Sequence, residues 1–137
     1  MQYKTESRLR NQLVNELRLE GFEVQSVESG MTGRGIPDVF FAKLSGVQRQ
    51  YECNFHGWIE LKNITTELRD PVVIDFRKGQ YEWLMRFAKE GVNVYLIVSC
   101  SEGLFVFKRY DIQKSYPLND FLASKKLTKM KNLESVL

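Results

Sequence analysis

The chain has 137 residues, 43% hydrophobic and 27% charged, a globular balance that excludes an intrinsically disordered segment. Twenty Lys and Arg against seventeen Asp and Glu leave a net charge of +3, which suits a polyanionic partner without requiring one. Cys53 and Cys100 lack paired metal spacing, no apolar run approaches the roughly 18 residues of a membrane span, and no signal-peptide core is visible; one soluble, intracellular, cytoplasmic domain with reduced thiols is expected, in host cytoplasm if viral.

Residues 4–20 predict an amphipathic helix, because Leu9, Leu13 and Leu17 recur at i, i+4 and i+8, Val14 widens the stripe and Gly21 stops it. Glu6 falls on the same face, either as a first-turn acid favoured by the helix dipole or as a carboxylate leaning over the sheet into a site. Residues 22–27 alternate apolar and polar, as a half-buried strand does. A glycine-rich stretch follows, with Gly30, Gly33, Arg34 and Gly35. Its backbone N–H groups and the Arg34 fork suit a phosphate, a turn between strands explains the same residues, and the two readings are compatible. Asp38 then stands at the mouth of the apolar run Val39-Phe40-Phe41, behind Pro37, whose fixed φ and missing N–H make a stiff strand start.

Residues 42–55 are expected to turn and lead into a hairpin partner, Trp58-Ile59-Glu60-Leu61-Lys62. The strand period of 2 puts Glu60 and Lys62 on one face, with Ile59 and Leu61 on the other. His56 is the single histidine, with no second His or Cys at ligand spacing, so a surface position is expected rather than a zinc site or a triad.

Residues 63–74 read as a long connection, a candidate clamp over substrate. Asp75 is the expected N-cap of a second helix ending near Glu90, with Phe76, Trp83, Leu84 and Phe87 on its apolar stripe. Gln80 lies on that stripe and needs a buried partner, either nearby backbone or a polar site. Arg77, Lys78, Arg86 and Lys89 make the outer side basic, with Lys78 a candidate phosphate contact. Residues 92–98 are a near-continuous apolar run, expected as a doubly covered strand parallel to the Glu60 strand. Residues 104–107 predict a hairpin partner at the sheet edge. Beyond a core of about residues 4–110, a tail over 111–137 carries Lys125, Lys126, Lys129 and Lys131, which bind backbone phosphate or belong to a solvated helix.

The order Pro37-Asp38, a long gap, then Glu60-Leu61-Lys62 resembles the PD-(D/E)xK nuclease superfamily. With Gly35-Ile36-Pro37-Asp38 complete, Glu6 in a preceding helix and Gln80 in a following one, it looks like the VRR-NUC branch and the related Holliday-junction resolvases. The resemblance spans residues 5–107 and departs at 63–74, where a short glycine-containing turn is more usual. It implies an α/β, restriction-endonuclease-like fold with an αβββαβ core, a central mixed sheet flanked by helices. It also implies a metal-dependent endonuclease of phage or prokaryotic type acting on DNA, structure-specific for four-way junctions or other branched forms and working as a homodimer.

The chemistry matches these residue types. Asp38 and Glu60, with the Leu61 carbonyl as a third donor, would hold Mg²⁺, for which Mn²⁺ substitutes, and Glu6 would bind a second ion or a water behind it. Lys62 would position or deprotonate water or stabilise phosphorane charge, and Gln80 would orient Lys62 or the water. Gly33, Arg34, Gly35 and Lys78 are the expected nucleic-acid contacts. Two other classes stay open: a catalytically silent nucleic-acid-binding module on the same fold, and a protein-interaction domain. Metal-dependent cutting and salt-dependent binding separate the three.

Overall fold

Thr5 starts the first helix by accepting the Arg8 N–H on its side chain at 3.1 Å, and α1 (Glu6–Leu19) buries Leu9, Leu13, Val14 and Leu17, the predicted stripe. The computed structural model describes residues 3–27, 35–44, 53–127, 133 and 137. The 30–34 stretch, the 45–52 turn, Lys129 and Lys131 fall outside the described residues. After α1 come β1 (Glu23–Ser26), β2 (Val39–Leu44), β3 (Cys53–Asn63), the short β4 (Val72–Val73), α2 (Gln80–Lys89), β5 (Val94–Cys100) and β6 (Gly103–Lys108). A 3₁₀ turn (Arg109–Asp111), β7 (Ser115–Tyr116), α3 (Leu118–Leu122) and β8 (Lys126–Leu127) complete the chain.

The six-stranded sheet runs β1-β2-β3-β5-β6-β8, and β4 with β7 forms a second sheet of two strands. Within the larger sheet β3 and β5 are parallel, with Glu60 opposite Leu96 and Lys62 opposite Val98, and the other pairs are antiparallel. The parallel pair needs a crossover, which the segment carrying α2 provides. All seven residues of β5 are buried because both faces are covered. Tyr95 and Ile97 meet Leu9, Leu13, Leu17, Phe41, Ile59 and Leu61 on the α1 side. Val94, Leu96 and Val98 meet Leu84, Ala88, Phe105, Phe107 and Phe121 on the other.

Three expectations change. The second helix begins at Gln80, not Asp75: Ile74 donates its N–H to the Lys114 carbonyl at 2.9 Å and Gly79 takes φ 88°, so residues 74–79 are extended and turning, and Asp75 caps nothing. The 63–74 connection is shorter than read, since Asn63 belongs to β3 and Val72 and Val73 to β4. What remains is anchored by Ile64 N–H to the Ser99 carbonyl at 2.7 Å and Leu118 N–H to Asp70 Oδ1 at 3.0 Å. Finally, β6 is not an edge, because Leu104 pairs with Leu127. Ile112, Tyr116 and Phe121 are buried in the second core and Leu127 in the core on the α1 side, so this part of the C-terminal stretch is packed against both faces of the sheet. Among the described residues no helix is long and apolar enough to cross a membrane.

Phe121 is fully buried, with its ring centroid 4.6 Å from Phe105 and 5.6 Å from Phe107. Phe121→Ala should lower the unfolding free energy by about 3–5 kcal/mol through the cavity it leaves. Urea denaturation checks this, and an unchanged midpoint would mean that the C-terminal segment is not packed on the sheet.

Candidate active site

The site is built where β3 outruns β2. Val39 pairs with Ile59, so continuing the register puts Asp38 opposite Glu60 and Pro37 opposite Leu61. The Leu61 N–H, past the end of β2, donates to Asp38 Oδ2 at 2.9 Å, and this buried bond fixes the carboxylate against β3. Pro37 has no N–H to return, so it leaves the Leu61 carbonyl without a ladder donor at that position. A strand residue's N–H and C=O point to the same side, so the Leu61 carbonyl faces the Asp38 side while its side chain is buried in the α1 core.

Glu6, Asp38 and Glu60 each bring a carboxylate oxygen within 4.8 Å of the others. Glu60 is 1% exposed and Asp38 5%. Glu6 is half-buried in the first turn of α1, and the cap there comes from Thr5, which leaves the Glu6 carboxylate for the cluster. Glu60 Oε2 meets Lys62 Nζ at 3.3 Å, whereas Glu60 Oε1 is buried with no hydrogen-bond partner among the described residues. Burial, and next to it the Asp38 charge, push the Glu60 carboxyl up to about 8, with Lys62 pulling the other way. Glu6 is raised for the same two reasons, burial first and Asp38 second, against Lys62 and Arg77.

Gln80 is 2% exposed, and its Oε1 accepts from Lys62 Nζ at 2.9 Å and from the Arg77 backbone N–H at 2.7 Å. Both readings of this glutamine hold together: it satisfies a local backbone group and serves the site. The Glu60 carboxylate and the Gln80 amide thus hold the Lys62 amine from two sides. Gly35 sits beneath this turn with φ 86°, and a Cβ there would lie 2.5 Å from the Gly79 carbonyl oxygen. The close approach of two backbones explains Gly35, which is buried.

The structure therefore brings Glu6, Asp38, Glu60, Leu61, Lys62 and Gln80 together. Lys78 is exposed on the turn before α2, and Gly33 and Arg34 lie outside the described residues. His56 is exposed, its ring 6.4 Å from Phe40, and takes no part in the carboxylate cluster. Cys100 is a buried thiol that donates to the Gly103 carbonyl at 3.6 Å. The sequence reading did not place three supporting residues at the site, Asn63 and, read only as part of a helix stripe and its basic side, Phe76 and Arg77. Asn63 donates to the Tyr3 carbonyl at 2.8 Å and ties the approach to α1 onto the end of β3. The Phe76 ring lies 5.7 Å from Lys62 Nζ, and Arg77 adds positive charge near Glu6. None of these has a spacing signal, since each works through a fold contact.

A cleft of about 180 Å³ opens onto Glu6, Lys62, Asn63 and Arg77. The neighbouring cluster of Glu6, Asp38 and Glu60, with Glu60 Oε1 buried and without a hydrogen-bond partner among the described residues, fits a hard divalent cation, which takes oxygen ligands and relieves the crowding of like charges.

Two expected outcomes follow from these contacts. Because Glu60 titrates near 8 when folded, above its ordinary value of 4.5, the stability from its protonated form is complete below about 4.5 and lost as pH rises through 8. Metal-free protein should lose melting temperature over that window, Glu60→Gln should flatten the slope, and adding a divalent cation that binds this cluster at pH 7 should release a proton, seen by calorimetry in buffers of different ionisation enthalpy. Gln80→Ala should cost about 1–3 kcal/mol in chemical denaturation, since it leaves the Arg77 N–H and the Lys62 amine each short of an acceptor.

No family model matches the sequence, and no curated protein does. Among solved structures the chain is similar to Hjc, a Holliday junction resolvase from the archaeal hyperthermophile Archaeoglobus fulgidus, with a TM-score of 0.58 and 16% identity over 88% of this chain and 94% of that one. At that identity the likeness is one of fold, and this mixed six-stranded sheet flanked by helices matches a restriction-endonuclease-like fold.

Proposed function

We propose that this chain is a metal-dependent endonuclease that hydrolyses phosphodiester bonds in branched DNA, four-way junctions included, on the VRR-NUC and Holliday-junction-resolvase branch of its fold. The observation that carries the reading is the convergence of Glu6, Asp38 and Glu60 within 4.8 Å, with the Lys62 amine 3.3 Å from Glu60 and 2.9 Å from Gln80. The fold shared with a protein described as a Holliday junction resolvase supports it.

Asp38 and Glu60, with the Leu61 carbonyl and Glu6, would hold Mg²⁺ or Mn²⁺. When bound, the ion would neutralise phosphate charge and make water acidic enough to attack phosphorus near neutral pH. Asp38 keeps its orientation through the Leu61 N–H, so the ligand set is arranged before substrate arrives. An ammonium has three donors, and the structure engages that of Lys62 with Glu60 and Gln80. Used this way, Lys62 is a donor that stabilises negative charge growing on the non-bridging phosphate oxygens, with Gln80 holding its position. Lys78, Gly33, Arg34 and Gly35 are the proposed DNA contacts. A homodimer is part of the proposal, because a two-fold assembly places two such sites for paired incisions in a four-way junction.

The test is cleavage of labelled four-way junction, flap and linear duplex. Wild type should cut branched DNA with Mg²⁺ or Mn²⁺ and not with EDTA. Asp38→Asn and Glu60→Gln should abolish cutting, and Lys62→Ala should slow it about 10²–10⁴-fold while junction binding persists. Binding without cutting under either metal would instead make the chain a silent nucleic-acid-binding module.

A further inference from the structure

Beside the catalytic cleft lies a larger cavity of about 570 Å³, lined in part by Phe76, Arg77, Lys78, Tyr81, Glu82 and Lys114. The two spaces share one strap of chain, since Val73, Ile74, Asp75 and Arg77 line both. Phe76 and Tyr81 form a tilted aromatic pair, centroids 5.6 Å apart, each partly buried and so with ring surface open to the cavity. Lys114 Nζ stands 5.1 Å from the Tyr81 ring and 3.6 Å from Glu82, while Lys62 Nζ stands 5.7 Å from the Phe76 ring. The catalytic lysine and the outer cavity therefore share one aromatic wall.

From this geometry we infer that the cavity takes an unpaired nucleobase of the DNA, stacked on the Tyr81 ring with the tilted Phe76 ring at its side, and with its flanking phosphates against Arg77, Lys78 and Lys114; the inference rests on the nuclease reading above. Intact duplex presents phosphates and base edges but no base faces, so an aromatic cavity adds nothing to its recognition. A base released from the stack at a branch or bulge has an exposed π-face, and aromatic stacking accepts any base. The volume lies within the range of about 300–1,000 Å³ for small-ligand sites, enough for a nucleotide. Asp75 and Glu82 on the rim repel phosphate and accept from base amino groups, which favours the base over the backbone in that part of the cavity. The site so placed selects DNA in which an unstacked base neighbours the scissile phosphate.

The test compares binding, in EDTA, of a duplex with one unpaired adenine and the fully paired duplex of the same sequence. Wild type should bind the bulged duplex at least about fivefold tighter, the low end of stacking one base on an aromatic side chain. Tyr81→Ala should erase that preference and leave paired-duplex affinity in place, Tyr81→Phe should keep it, and Lys114→Ala should reduce it. Unchanged melting temperatures confirm that the variants fold. Equal affinity of wild type for the two duplexes, or an equal loss on both from Tyr81→Ala, overturns the inference. Metal-dependent cutting of the four-way junction alongside that result leaves the nuclease reading standing, whereas binding to neither duplex with no cutting removes both.

Discussion

The hydrogen bond from the Leu61 N–H to Asp38 Oδ2, 2.9 Å long and buried, is the constraint on which the site depends. It arises because β3 continues beyond β2 and a buried N–H at the end of a ladder must find an acceptor. A side-chain carboxylate takes that role here, which draws Asp38 against the strand carrying Glu60 and Lys62. Pro37 stiffens the entry, and Gly35 lets it press against the Gly79 carbonyl at the start of α2. A backbone need at the sheet end thereby becomes the positioning of the Asp38 carboxylate beside Glu60 and Glu6.

Around that bond the electrostatics are unbalanced. Three carboxylates gather beside one lysine amine, and Glu60 is 1% exposed with one oxygen lacking a hydrogen-bond partner among the described residues. Burial and like-charge repulsion outweigh the attraction of Lys62, which is why the Glu60 proton is held up to about 8. A cation is the group that reverses both costs at once. Gln80 contributes geometry without charge: one oxygen accepts from the Lys62 amine and the Arg77 N–H, joining β3 to the start of α2.

The second core layer links this centre to the C-terminal segment. Tyr116 and Phe121 pack with Phe107, while β7 pairs with β4 and the Lys114 carbonyl holds Ile74. The strap of residues 73–79, which forms one wall of the cleft, is thus fastened by chain about forty positions later. Lys114, at the site of that fastening, extends positive charge over the Tyr81 ring. The outer cavity is consequently a product of the C-terminal segment as much as of α2.

Much of the architecture was legible in the chain. Hydrophobic periodicity marked α1, β5 and the facing of Glu60 and Lys62, because these patterns are properties of consecutive residues and the period of each element is set by backbone geometry. The residue order around Pro37-Asp38 and Glu60-Leu61-Lys62 marked the site and, with Glu6 and Gln80, the residues that the fold gathers there. The later start of α2 was not legible, because a left-handed Gly79 and a hydrogen bond to Lys114 overrode the helical pattern of 75–79. Nor were β4, β7 and β8, strands of two residues that exist only through partners distant in sequence. The sequence by itself determined which side chains could share a face and what chemistry they could carry. Tertiary structure alone decided that Glu6 reaches across from another helix, that one oxygen of Gln80 serves two donors, and that the C-terminal segment seals the core, because each depends on contacts between segments that no local period encodes.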